Sequence, residues 1–190
     1  MKDILREFPN SFDTERLTIR APRPGDGAEV HAAVIESLDR LRPWFPWATR
    51  EPTLEGSEVR VRQAQLKFMA REDLLLHLVL KGTNTLVGSS GLHRIDWSVP
   101  KFEIGYWVRT GYEGHGYITE AVLGITNFAF DALGAKRVEI RCDATNQRSA
   151  AVARRAGFTL EATLRCFERC NETDKLRDVM IFAQVRSDEG

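Results

Sequence analysis

The chain switches between two hydrophobic patterns, and the switches mark its elements. Leu17-Thr18-Ile19-Arg20 sets apolar residues at every second position, as a half-buried strand does, and Pro22-Arg23-Pro24-Gly25-Asp26-Gly27 ends the run. Val30, Val34, Ile35 and Leu38 then predict a helix carrying all four on one face. Prolines in Arg42-Pro43-Trp44-Phe45-Pro46-Trp47 remove amide donors and restrict their neighbours, so an aromatic loop is expected there. From Leu54 to about Glu72 the charged sequence, with Val59, Leu66 and Met69 spaced along it, predicts a second, largely exposed helix.

Three strand-like runs follow, Leu75 to Leu80, Thr85 to Ile95 and Phe102 to Val108, with Gly82-Thr83-Asn84 as a turn, which reads as an antiparallel meander. Gly111-Tyr112-Glu113-Gly114-His115-Gly116 then opens a long helix with Ile118, Ala121, Val122, Ile125, Ala129 and Ala132 at helical spacing and Gly134 past its end. Arg137 to Cys142 predicts another strand. Asn146 is placed to cap a helix running to about Ala156, and Gly157 follows it. Phe158 to Glu168 and Leu176 to Val185 close the pattern as two strands around the polar turn Asn171-Glu172-Thr173-Asp174. The expected fold is α/β, a mixed sheet flanked by helices, in a single domain over residues 1–190.

Composition narrows the function. A chain of 190 residues buries roughly 70% of its unfolded surface, so it needs no staples. The 27 basic and 27 acidic residues balance, leaving no overall positive field to gather nucleic acid or anionic lipid. No signal-type apolar region opens the chain and no stretch approaches a membrane span, so a cytoplasmic protein is expected. Cys142, Cys166 and Cys170 fit neither a disulfide framework nor a paired zinc pattern, and His31, His77, His93 and His115 are scattered singly, so no metal is expected.

The strand, glycine-rich loop and helix around residues 111 to 116 have the form of an anion site. Free amides at a helix start point outward and the helix dipole favours negative charge there. A nucleotide-triphosphate loop would need Gly-Lys-Ser/Thr, but Tyr117 follows Gly116; a dinucleotide fingerprint would want glycine or alanine at position 119, which is Thr119.

Together these segments resemble the GCN5-related N-acetyltransferase (GNAT) superfamily, and within it the ribosomal-protein alanine N-acetyltransferase (RimJ/RimL-like) branch. The carriers are Glu15 to Arg20, Pro43 to Trp47, Glu103-Ile104-Gly105-Tyr106-Trp107-Val108, the glycine loop running into Thr119-Glu120-Ala121, Asn146-Gln147-Arg148-Ser149, and Gly157-Phe158. The resemblance implies a mostly antiparallel sheet with a splayed central strand pair and acetyl-CoA as cofactor. It assigns Gly111, Tyr112, Glu113, Gly114, His115 and Gly116 to the pyrophosphate, main-chain groups near Trp107 and Val108 to pantetheine and the thioester carbonyl, and Asn146 to pantetheine. The loop departs from the family pattern at Gly111, where glutamine or arginine is usual, which shifts reliance to backbone amides.

By the same resemblance Ser149 protonates the departing sulfur. Glu168 is the expected base for the acceptor amine, and Glu103 the competing one; either also reads as an ion-paired strand carboxylate. Trp44, Phe45 and Trp47 suit an acceptor-pocket wall or, equally, loop anchors. The expected reaction is direct acetyl transfer to a protein N-terminus or small amine, with a homodimer plausible from family likeness. The alternative is a non-catalytic acetyl-CoA-binding regulatory protein.

Overall fold

The leucine-rich middle of the chain forms the expected meander, β3 (Leu74–Leu80), β4 (Leu86–Asp96) and β5 (Lys101–Val108). The computed structural model describes residues 2–170 and 173–186. Strands β2 (Leu17–Arg20) and β6 (Arg137–Asp143) lie as their alternation predicts, and β7 (Thr159–Arg169) and β8 (Leu176–Val185) form the closing hairpin. Asn171 and Glu172 of its predicted turn lie outside the described residues. A short strand β1 (Ser11–Asp13) pairs with β2 and escaped sequence reading, because three residues show no period.

These strands make one eight-stranded sheet in the order β1-β2-β3-β4-β5-β6-β8-β7. Every neighbouring pair is antiparallel except β5 and β6.

Four helices cover it: α1 (Gly27–Leu41), α2 (Leu54–Ala70), α3 (Tyr117–Ala132) and α4 (Gln147–Arg155). Alternate strand residues point to opposite faces. Trp107 of β5 packs against the α1 clusters, whereas Phe102 and Ile104 join Ile118, Ala121, Val122, Ile125 and Ala129 of α3. Helices α1 and α3 therefore lie on opposite sides of β5. Val34 and Leu38 are buried as expected, but Ile35 is exposed; the sheet-facing places beside them belong to Ala33 and Ser37, small enough for close approach. Val59, Leu66 and Met69 of α2 are likewise exposed, and its buried face is Ser57, Val61 and Phe68. Among the described residues no helix is long and apolar enough to cross a membrane.

Phe102 is fully buried and packs edge-on against Trp97, ring centroids 5.1 Å apart. Phe102→Ala should lower unfolding free energy by about 3–5 kcal/mol, measured by urea titration; a loss below 1 kcal/mol would contradict this packing.

Candidate active site

The parallel pair β5 and β6 is joined only at Lys101↔Arg137, Phe102↔Val138 and Glu103↔Glu139. Beyond these, β5 stays paired with β4 to Val108, and β6 stays paired with β8 to Asp143. Between Ile104–Val108 and Ile140–Asp143 the ladder is therefore open, as the resemblance implied. Arg141 staples the apex: its Nε lies 3.1 Å from Glu103 Oε2 on β5 and its Nη2 3.0 Å from Glu139 Oε2 on β6. Burial pushes the Glu139 carboxyl up, but Arg137 and Arg141 outweigh burial and hold it below the usual range.

The glycine loop begins where β5 ends. Gly114 (φ +79°) and Gly116 (φ +81°) occupy the left-handed region, which favours glycine, and the space a Gly114 Cβ would enter is open. Gly116 precedes α3, whose ladder starts at Glu120 N–H to Gly116 O, 3.1 Å, so the amides of Tyr117, Ile118 and Thr119 come before the first helical bond. Two earlier amides are already used by α1: Thr110 N–H donates to Ser37 Oγ (3.0 Å) and Gly111 N–H to Glu36 Oε1 (2.8 Å). Arg109 joins this anchor through Glu36 (2.6 Å) and Glu29 (2.8 Å). The Arg109 guanidinium, with Gly111 N–H second, holds the Glu36 carboxyl below its ordinary value.

The far end of the loop is tied by Glu120. Its Oε1 accepts from Thr14 Oγ1 (2.6 Å) and Arg16 N–H (2.8 Å), and its Oε2 from Arg16 Nε (2.7 Å). Arg16 also donates from Nη1 to His115 O at 2.9 Å and lies over the Tyr117 ring. Burial pushes the Glu120 carboxyl up, and these hydrogen bonds more than reverse it.

Loop and split strands open into one cleft of about 1670 Å3. Tyr112, Glu113, Gly114, Gly116, Trp107, Val108, Asn146, Ser149, Glu103 and Glu168 all line it, whereas Gly111 and His115 do not. The Gly111 amide is taken by Glu36, and His115 Nδ1 lies 2.9 Å from Glu113 O. Glu113 Oε2 accepts from Arg148 at 2.8 Å, and Arg148 and Arg155 line the same wall. Trp44 and Phe45 face the cleft; Trp47 does not line it and packs on Phe45 and Trp107, centroids 5.2 and 6.2 Å away, as a loop anchor.

Asn146 caps α4, its Oδ1 accepting from Ser149 N–H at 3.0 Å. Ser149 Oγ lies 2.9 Å from Tyr106 Oη, a contact across the open part of the split. Burial pushes the Tyr106 phenol far above its usual range, and the Ser149 hydrogen bond only partly opposes it. Burial likewise raises the Cys142 thiol, again opposed by a hydrogen bond with Ser149.

The two carboxylates differ in their company. Glu103 Oε2 is shared by Arg94 (2.9 Å) and Arg141 (3.1 Å), with the side chain 17% exposed. Among the described residues Glu168 Oε2 meets only Arg177, at 3.0 Å, and its side chain is 36% exposed. A bulge between Leu164 and Glu168 sets it there, with Cys166 at φ +50° and Cys166 N–H held by Asp178 Oδ1 at 2.8 Å.

Residues 16–159 match the family model described as Acetyltransferase (GNAT) domain. The chain belongs to the GNAT acetyltransferases. "Putative ribosomal N-acetyltransferase YdaF" of Bacillus subtilis (strain 168) is 30% identical over 80% of this chain and 82% of its own. The Escherichia coli (strain K12) ribosomal-protein-serine acetyltransferase is 27% identical over 84% of this chain and 93% of its own. In fold, the microcin C7 self-immunity acetyltransferase MccE, solved with acetyl-CoA and AMP, superposes with a TM-score of 0.85 at 23% identity, covering 94% of this chain and 98% of that one. As a GNAT N-acetyltransferase the chain is an enzyme that uses acetyl-CoA, and the open amides beside Gly114 and Gly116 fit a diphosphate.

Glu120→Gln should loosen the loop and lower the melting temperature at pH 7. Because the folded carboxyl is held low, its contribution is present above the unfolded value of about 4.3 and is lost as pH falls through the folded one. The melting gap between wild type and Glu120→Gln should therefore close in acid, and a gap that widened there would refute the tie. Gly114→Val should fold but weaken coenzyme A binding at least roughly tenfold by calorimetry, because the side chain strains a left-handed position.

Proposed function

We propose that this enzyme acetylates the α-amine of a protein N-terminus in the cytoplasm by direct transfer, with Glu168 as base and Ser149 as donor to the sulfur. The observation that carries the reading is that amides, split strands, Ser149 and Glu168 all line one cleft. The names of the bacterial relatives favour a ribosomal protein as acceptor. The open outer edge of β7, with Leu160 and Phe167 exposed, suits a second copy of the chain, and a homodimer belongs to the same reading.

Acetyl-CoA supplies an activated acetyl thioester. The amides from Gly114 to Thr119 would hold its pyrophosphate, and Arg148 and Arg155, which line the same cleft, would add positive charge. Asn146 spends its Oδ1 on the α4 cap, so only its Nδ2 remains to donate toward pantetheine. Backbone donors on the open edge of β5 near Trp107 and Val108 face the place where negative charge grows. Trp44 and Phe45 wall the acceptor and exclude water.

Glu168 takes the proton that the acceptor ammonium must shed, directly or through one water. Glu103 suits the role less, because two guanidiniums share its Oε2 and Arg141 needs it at the strand apex. Glu168→Gln should cut kcat roughly a hundredfold or more with the KM for acetyl-CoA unchanged. Coenzyme A release, followed with a thiol reagent, should rise with free peptide N-termini and stay at background with the same peptides N-acetylated. Release with polyamines or aminoglycosides and none with peptides would overturn the acceptor, and acetyl-CoA binding without release to any amine would favour a regulatory protein.

A further inference from the structure

Building on the role proposed for Ser149, we infer that Tyr106 is a positioning residue that turns the Ser149 hydroxyl hydrogen toward the departing sulfur. Tyr106 projects from the open stretch of β5, and Ser149 sits in the first turn of α4, its backbone fixed by the Asn146 cap. Pairing between the strands has ended at Glu103↔Glu139, so the contact between these hydroxyls spans a region without a ladder.

The phenol has one hydrogen and two acceptors in reach, Ser149 Oγ at 2.9 Å and Ser149 O at 3.0 Å. When it donates to the carbonyl, Ser149 Oγ–H is drawn back toward Tyr106 Oη. When it donates to Oγ instead, it fills a lone pair there and frees the serine hydrogen to point into the cleft. A thiolate leaving in that cleft favours the second arrangement, because a charged acceptor draws a stronger hydrogen bond. Burial keeps the phenol neutral, so Tyr106 orients and gives up no proton.

The balance is complete without it. The nitrogen–carbon bond forms as the carbon–sulfur bond breaks, and the electron pair leaves with sulfur. The nitrogen sheds two protons: the one Glu168 takes from the ammonium passes to solvent, and the one lost as the amide forms equals the one the coenzyme A thiol finally carries. Cys142, which also hydrogen-bonds Ser149, is buried with its thiol pushed up, so it stays protonated and does not take that proton.

The test uses Tyr106→Phe, Ser149→Ala and the double variant, each bound to coenzyme A or to desulfo-coenzyme A. The absorbance difference between the two complexes titrates the bound cofactor thiol and cancels the protein's own cysteines. Losing the serine donor should raise that thiol's midpoint by about one pH unit, equally in all three variants. In turnover, Tyr106→Phe should lose roughly tenfold in kcat at unchanged KM for acetyl-CoA, and nothing further in the Ser149→Ala background. An unshifted thiol in Tyr106→Phe, or a double variant that multiplies the two losses, overturns the inference. If Tyr106→Phe folds poorly, Tyr106→Leu, which also removes the phenol and leaves Ser149 in place, carries the same expectation and the same overturning result. A wild-type protein that transfers no acetyl group would instead sink the acetylation reading, and the thiol titration would still decide the role of Tyr106.

Discussion

Everything at the centre of this molecule depends on two neighbouring strands that pair for three residues and then part. A parallel ladder left open exposes amides and carbonyls, which is costly unless something polar fills the gap. The apex holds because Arg141 reaches a carboxylate on each strand, Glu103 and Glu139, so the divergence starts from a fixed point. Partners on both outer flanks, β4 and β8, keep the separated strands straight. The opening is therefore a notch in an otherwise continuous sheet, its walls each held by a partner strand on the far side.

Around that notch, charge is placed by backbone more than by side chains. The glycine loop carries no lysine or arginine, and the guanidiniums near it come from elsewhere: Arg16 from the β1–β2 hairpin and Arg148 and Arg155 from α4. A helix start with open amides attracts an anion without a formal charge, and the flanking arginines add long-range attraction.

Most of the architecture was legible because periodicity is local. The meander, the loop, α3 and the cap on α4 fall within a residue or two of where alternation, glycine and asparagine place them. Side-chain identity at the site was less legible, because partners there lie far apart in sequence. Nothing near Gly111 announces that Glu36 of another helix takes its amide, and nothing near Glu120 announces Thr14 and Arg16. Tyr106 sat inside a recognisable motif, yet its contact with Ser149 is separated by 43 residues and becomes visible only when the strands part. The face of α1 differs from the expected one at Ile35 for a related reason: size decides which residue meets a sheet, and Ala33 fits where Ile35 would not.

Helix α1 ends at Leu41, beside residues between Asp39 and Pro46 that line the cleft, while Glu36 and Ser37, one turn earlier, grip the loop that precedes α3. One short rod thus abuts both compartments of the enzyme. A tilt of α1 that shifted the segment after it would also drag on the glycine loop, so the two ends of the cleft are mechanically joined.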